Sequence, residues 1–215
     1  KSASIEDLHQ QRDDLRKSGE LAGIGISTCL EPSGGNSAFE PLFNPKNETT
    51  TWMESCLVRI DLGGTITAIM GTSSSGQAHE TLVSTVIAEI LLQDPETIRV
   101  IHSDSLNALP SNSPVGSRMA IMLGGAAAGA AKKLKQQLLA IAAHQLQKNP
   151  NDLVYSANRI YDHTNQNNQI SWSTLVEIAH RKFHLLPANM EPGLQEKFVW
   201  EVPTGGQLPS TDGKV

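Results

Sequence analysis

The 215-residue sequence predicts an α+β fold in which mixed sheets pack against helices. Three observations support this class. Strand-like and helical stretches alternate irregularly along the chain, and no internal repeat is visible. The pair Gly63-Gly64 separates two β-prone runs and therefore indicates a hairpin. The segment from Gly116 to Gln147 has helical periodicity and is rich in small residues.

Composition and charge exclude several classes of protein. The length is sufficient for one large domain or two small ones. A net charge of −5 argues against nucleic acid as the main partner, because phosphate neutralisation needs a basic face. No apolar run is long enough to span a bilayer, and no secretory signal is visible. Cys29 and Cys56 could pair only if the fold brings them together, and two reduced thiols are the preferred interpretation.

The predicted elements of the first half are a helix over 5–18, a buried strand over 22–28, a loop over 32–45 and hairpin strands over 55–61 and 65–71. The second half continues with a helix over 77–92 ended by Asp94-Pro95, a short strand over 97–102, a polar loop over 104–114 and a long helix over 116–147. It ends with strands over 153–161 and 169–171, a helix from the cap Ser173 to His184, and a β-prone run over 198–202. We assign 1–152 as a core segment and 153–215 as a continuing α+β portion of the same domain.

The long helix contains glycines at several interior positions, each of which costs roughly 1 kcal/mol relative to alanine. These glycines indicate that another backbone or a bound group approaches the helix closely. The simpler alternative is a helix whose small side chains belong to the core.

Two loops share one physical design, in which a strand ends in small polar residues that lead into a helix. The first loop begins at Gly71 and the second runs from Asp104 to Arg118. A helix start leaves backbone N–H groups unpaired and carries partial positive charge, so it attracts anions. Arg118 adds a guanidinium suited to phosphate. The loops therefore predict a site for an anionic ligand, and ordinary helix caps without a ligand are the alternative.

The order of motifs in these loops resembles that of the xanthine oxidase family, especially its carbon monoxide dehydrogenase-like branch. Gly-Gln-Ala-His-Glu-Thr at 76–81 is similar to the Gly-Gln-Gly-His-Glu-Thr signature of that family. Asp104-Ser105 follows at the place of the family's Asp-Thr, and Gly-Ser-Arg at 116–118 opens a helix rich in Gly and Ala. The Gly-Ile-Gly run at 23–25 also has a counterpart, so the resemblance covers about 23–153.

This resemblance implies a molybdenum cofactor-binding domain, part of an enzyme that oxidises an aldehyde, an N-heterocycle or carbon monoxide with water as the oxygen source. The cofactor is molybdopterin, commonly the cytosine dinucleotide form in bacteria. Gln77 is expected to hydrogen-bond the cofactor near the oxo ligand of the metal, with no metal ligand from the protein. The complete set of implied cofactor-binding residues is Gly76, Gln77, Ala78, Val115, Gly116, Ser117 and Arg118. The implied partners are the rest of the large subunit, iron–sulfur and FAD subunits or domains, and a second copy of the assembled cytoplasmic enzyme.

The sequence departs from the family pattern at three places. Ala78 replaces the second glycine of the signature, and loop 105–115 lacks the glycines typical before Gly-Ser-Arg. The general-base Glu of the family is expected beyond Val215. We therefore expect a truncated piece or one chain of a split enzyme, inactive by itself. A non-catalytic scaffold or assembly module of the same fold is the alternative, and a domain for another anion is a third interpretation.

Other candidate sites have weaker support. His79-Glu80 is no zinc protease motif, because Val83 stands where a second His is required, and a packing role for His79 is preferred. His180 and His184 lie four apart but have no third ligand in view. Asp104 is expected to orient its loop through backbone N–H groups. The run Gly-Thr-Ser-Ser-Ser at 71–75 misses the serine hydrolase elbow by one residue. Glu31 and Glu80 form a pair only if the fold joins them.

Overall fold

A computed structural model describes residues 4–28, 53–106 and 109–201 of the chain. The chain divides into two compact units, 1–31 and 32–215. Helices and mixed sheets are both present, which confirms the predicted α+β class. Cys29, Glu31 and the predicted loop over 32–45 lie outside the described residues.

The first unit contains helix α1 (Ile5–Lys17), as the sequence predicts. Its start is a capping box: Ser4 Oγ accepts a hydrogen bond from the Asp7 amide at 3.1 Å, and the Asp7 carboxylate accepts one from the Ser4 amide at 3.3 Å. No residue of α1 is buried.

The buried strand predicted over 22–28 is wrong. Residues 20–28 form no strand, and all but Ala22 are exposed. A strand is stable only when a neighbouring strand satisfies its backbone N–H and C=O groups. The two sheets formed by the described residues do not include this run.

In chain order, the second unit contains β1 (Met53–Ile60), β2 (Ile66–Met70), α2 (His79–Leu91), β3 (Arg99–Ile101), α3 (Met119–Leu146), β4 (Leu153–Tyr155), β5 (Arg159–Asp162), β6 (Asn165–Ser171), α4 (Trp172–Arg181) and β7 (Leu194–Glu201). The first sheet has the order β3-β2-β1-β7. β1 is antiparallel to β2 and β7, whereas β2 and β3 are parallel. The predicted Gly63-Gly64 hairpin is confirmed, and Gly64 adopts the left-handed φ of +84° that such a turn requires.

α3 packs against β1 and β7, and α2 packs against α3. The glycines of α3 have a clear cause in this packing. A Cβ at Gly125 would lie 2.4 Å from the indole ring of Trp200, and one at Gly129 would lie 2.2 Å from the ring of Phe198. At these two positions the helix is therefore approached by aromatic side chains of β7, and the predicted approach of another backbone or a bound group is wrong there. α3 begins at Met119 and not at 116, because Gly116 and Ser117 have φ values of +65° and +50°.

The second sheet has the order β4-β5-β6. The single strand predicted over 153–161 is two strands, because the chain turns at 156–158, where the Ser156 amide and hydroxyl both donate to the Arg159 carbonyl. Ser171, and not Ser173, caps α4, since Ser171 Oγ accepts from the Thr174 amide at 3.1 Å. α4 ends at Arg181, so His184 falls in a separate 3-10 turn. Among the described residues, no helix is long and apolar enough to cross a membrane.

Candidate functional site

The two loops singled out in the sequence leave the same edge of the first sheet. We define the first loop as 71–78, after β2, and the second as 102–118, after β3. Because β2 and β3 are parallel neighbours, both loops begin at their carboxyl ends. They also touch: a Cβ at Gly71 would lie 2.9 Å from the Pro110 carbonyl oxygen, and Ser73 Oγ donates to the Ser103 carbonyl at 3.4 Å. We call the edge formed by these loops and the starts of α2 and α3 the loop edge.

The first loop contains three consecutive exposed residues. Gly76, Gln77 and Ala78 are exposed, and their N–H groups have no hydrogen-bond partner among the described residues. Ala78 lies at the start of α2 in the left-handed conformation, at φ 56° and ψ 44°. Small residues at an exposed helix start with free N–H groups are what an anionic ligand requires.

The Gln77 side chain makes one hydrogen bond within the first loop. Its Oε1 accepts a hydrogen bond from the Ser75 amide at 2.5 Å. The Nε2 hydrogens therefore remain as donors for a ligand. This side chain is exposed beside the free amides of the first loop.

Behind these donors lies a cluster of His79, Glu80 and His102. The Ser74 amide donates to His102 Nδ1 at 3.3 Å, and His102 Nε2 lies 3.9 Å from Glu80 Oε2. The pKa of Glu80 is lowered by a hydrogen bond from its own backbone N–H, then by the Ser74 hydroxyl and by the two histidines. His79 is buried, as the preferred packing role requires. The cluster ties the first loop to the end of β3.

The second loop is strongly shaped by its backbone. Ser113, Gly116 and Ser117 all have positive φ values, and a Cβ at Gly116 would meet open space. Val115, Gly116 and Ser117 are exposed. Asp104 Oδ1 accepts from the Leu106 amide at 2.8 Å, which confirms that Asp104 orients its loop.

Arg118 is buried, and its guanidinium is not displayed as a surface phosphate ligand. It forms an ion pair with the carboxylate of Glu54, and its Nε donates to the Ser113 carbonyl at 2.9 Å. Only 2% of the Arg118 side chain is exposed. Sequence reasoning placed Arg118 at the correct helix start but did not foresee its partner.

Glu54 is the residue of this edge that sequence reasoning missed. It is fully buried, and its Oε1 accepts hydrogen bonds from Arg118, from Ser111 Oγ at 3.0 Å and from the Asn112 amide at 3.1 Å. A signal was present in the strand pattern. Period-two alternation places Glu54 on the same face as Cys56 and Val58, so a charged residue stands in an apolar row.

The remaining candidates do not form a site. His180 Nε2 donates to the Ile60 carbonyl at 2.9 Å, whereas His184 is exposed in its 3-10 turn. Within the described ranges, no three His, Cys, Asp or Glu side chains are grouped as a metal site would require. Cys56 is buried and makes no disulfide with any described residue.

Several known proteins are similar to this chain over most of its length. The carbon monoxide dehydrogenase large chain of Hydrogenophaga pseudoflava is 33% identical over 184 residues, which are 85% of this chain and 22% of that protein. The nicotine 6-hydroxylase large subunit of Paenarthrobacter nicotinovorans is 28% identical over 192 residues, 89% of this chain and 23% of that protein. The chain thus spans less than a quarter of the length of these curated relatives.

Solved structures agree with this result. The copper- and molybdenum-containing CO dehydrogenase in its carbon monoxide-reduced state superposes with a TM-score of 0.71 at 27% identity, over 91% of this chain and 24% of that chain. Quinoline 2-oxidoreductase from Pseudomonas putida 86 has a TM-score of 0.72 at 22% identity, with the same coverage, and supports the fold alone. Residues 1–213 match the family model described as the molybdopterin cofactor-binding domain. The resemblance predicted from the sequence is confirmed, and the chain belongs to the family of molybdopterin cofactor-binding domains.

Proposed function

We propose that the loop edge holds part of a molybdopterin cofactor, within the large subunit of a molybdenum-dependent oxidoreductase. The observation that carries this proposal is the run of exposed residues at 76–78, at the start of α2, whose amides have no partner among the described residues; the exposed backbone at 115–117 leads into α3 at the same loop edge. Both helix starts lie at the same sheet edge. Two such starts suit a ligand that combines phosphate with a polar ring system.

The residues present fit this cofactor. The backbone N–H groups of Gly76, Gln77 and Ala78 would hold one end of it, and the Gln77 Nε2 hydrogens would donate to an oxygen near the metal. The exposed backbone of Val115, Gly116 and Ser117 would line its pterin or phosphates. A Cβ at Gly76 or at Gly116 would meet open space, so a ligand can approach both backbones closely.

The role that we propose for Arg118 is not that of a phosphate ligand at a helix start. Because its guanidinium is bound by Glu54 and the Ser113 carbonyl, its contribution to the site is to hold the backbone of the second loop. The anion is therefore met by backbone amides, which are neutral dipoles, more than by a side-chain cation.

The bound cofactor supplies the two-electron oxidation and the transfer of a water-derived oxygen to an aldehyde, an N-heterocycle or carbon monoxide. This chain binds and orients it. Glu54 is buried against Arg118, so it is not available as the general base. We propose that the base belongs to another part of the complete protein, and that iron–sulfur and FAD partners accept the electrons. We further propose that the cofactor is the cytosine dinucleotide form, and that the complete enzyme is a homodimer located in the cytoplasm.

The test uses the complete protein that contains this domain, produced in a host that makes the cofactor. Molybdenum is measured by elemental analysis, pterin by fluorescence after oxidation, and the released nucleotide by chromatography. Gln77→Ala should lower molybdenum occupancy or turnover several-fold. Gln166→Ala, an exposed glutamine in β6, should leave both at the wild-type level. A wild-type protein without molybdenum and pterin would overturn the proposal.

One observation favours the alternative of a non-catalytic assembly module. Ala78 has a Cβ in a left-handed conformation, at the place where the family signature has glycine. The alternative is supported if the wild-type protein assembles with its partner subunits at normal stoichiometry but contains no pterin. Full pterin content rejects it.

A further inference from the structure

The start of β1 is bound to the second loop by three consecutive residues, which we call the β1 clamp (Met53, Glu54 and Ser55). The Met53 amide donates to Asn112 Oδ1 at 2.8 Å. Ser55 Oγ donates to the Pro110 carbonyl at 2.5 Å. Glu54 accepts the three hydrogen bonds already described. The clamp therefore contacts the loop at 110–112 and again at 118.

Glu54 has the most demanding environment of the three. Its carboxylate is fully buried, and a buried charge is stable only when it is paired and hydrogen-bonded. Oε1 carries all three of its hydrogen bonds, while Oε2 is buried with no partner among the described residues. Such an environment makes the ion pair sensitive to the loss of charge on Glu54.

Helix formation alone does not explain why an arginine stands at the start of α3. A cation at a helix start opposes the helix dipole, and the negative charge of Glu54 offsets this effect. The same guanidinium donates to the Ser113 carbonyl. Glu54 thus contacts Arg118, and Arg118 contacts Ser113. Ser113 begins the turn at 113–117 and Arg118 follows it; within this turn Ser113, Gly116 and Ser117 have positive φ.

A turn with three left-handed residues in five needs external contacts to keep its shape, because two of the three are not glycine. The pair of Glu54 and Arg118 supplies such contacts from inside the protein. The outer side of the same turn is the exposed backbone at 115–117.

We propose that Glu54 is a positioning residue for the cofactor: through Arg118 it holds the turn at 113–117 in the shape that presents its backbone to the ligand, without touching the ligand itself. This inference rests on the proposed function of the loop edge. Glu54 lies in a different sequence region from both family motifs, 64 residues before Arg118.

The test compares Glu54→Gln with Glu89→Gln in the complete protein. Glu89 is exposed on α2, so Glu89→Gln makes the same substitution outside the β1 clamp. Hydrogen exchange is measured on the cofactor-free protein, and pterin content on protein from a cofactor-producing host. For Glu54→Gln we expect exchange at 109–118 to rise roughly tenfold or more, since a hydrogen-bonded charge is lost, with a several-fold fall in pterin content. Exchange in β4 to β6 should not change.

Arg118→Lys is the second variant, in case Glu54→Gln fails to fold. It keeps the positive charge but loses the Nε donor to Ser113, so we expect faster loop exchange and reduced pterin content in a folded protein. Wild-type exchange in both variants overturns the positioning role. Faster exchange with unchanged pterin content overturns the link to the cofactor. A wild-type protein without pterin rejects the proposed function instead, while the exchange comparison still tests whether Glu54 holds the turn.

Discussion

The ring of Phe198 in β7 lies against the backbone of Gly129 in α3, so closely that a Cβ at position 129 would be 2.2 Å from Cδ1 of the ring. Gly129→Ala should therefore destabilise the packing of α3 on β7, by about 1–3 kcal/mol. Hydrogen exchange of α3 and β7 in the complete protein measures this loss. Gly124→Ala is the matched control, because its Cβ would meet Leu82 Cδ1 at 3.7 Å, an ordinary contact. The control should stabilise the helix by up to about 1 kcal/mol, and equal effects in the two variants would contradict this packing.

Ala78→Gly should stabilise the start of α2. The left-handed conformation of Ala78 costs an L-residue roughly 1–2 kcal/mol, part of which the greater chain entropy of glycine offsets. We expect a net gain of about 1 kcal/mol or less, seen as slower exchange in the first turn of α2. Ala140→Gly, in the interior of α3, should instead destabilise its helix. Faster exchange in Ala78→Gly would show that the methyl group makes a favourable contact.

Burial raises the pKa of the Cys56 thiol from 9.0 to about 12. The unfolded thiol loses its proton above about pH 9 while the folded one keeps it, so this group destabilises the fold as the pH rises from 9 towards 12. Iodoacetamide should leave Cys56 unmodified in the native protein at pH 8 and modify it in urea. Peptide mass spectrometry identifies the modified site. Rapid modification without urea would contradict the burial of this residue.

The buried carboxylate of Asp162 has the opposite pH dependence. A hydrogen bond from Lys148 at 2.7 Å and two from Thr164 hold the pKa of Asp162 well below its usual range. The resulting stability is present above about pH 4, the ordinary pKa of Asp, and is lost as the pH falls below that value. Asp162→Asn should loosen β4 to β6 at pH 7, with a smaller difference from wild type at pH 3, as measured by urea unfolding.

Lys148→Met removes the cation of the same pair and should also loosen the second sheet at pH 7. Lys132→Met, an exposed lysine of α3, is the control and should have little effect. A Lys148→Met protein as stable as the control would show that Thr164 alone holds the carboxylate.

Local signals predicted the parts of this fold that depend on neighbouring residues. The Gly63-Gly64 turn determines the β1–β2 hairpin, and the periodicity of α2 appears in its buried face at Val83 and Ile87. The order of motifs predicts that 76–78 and 115–118 belong to one site. The structure shows that the two loops leave parallel neighbouring strands, and the shared cofactor site stays a prediction.

Features that depend on distant partners were not predictable in the same way. The run 22–28 has β propensity, but propensity does not say which strand will pair with it. The sequence around Arg118 alone predicts a phosphate ligand, because the buried Glu54 that neutralises it belongs to β1, far away in the sequence. The position of Glu54 in an apolar row could have marked it as unusual. Its contacts with 111–118 could not have been predicted, because those residues are distant in the sequence.

The β1 clamp also has a consequence for the order of folding. Its hydrogen bonds join residues 55 to 64 positions apart, and contacts of such sequence separation form only after the intervening elements have closed the chain into a loop. We therefore expect the second loop to acquire its shape late, after β1, β2, α2 and β3 have come together. If the loop edge binds a ligand that needs this shape, we expect that ligand to enter after the domain has folded.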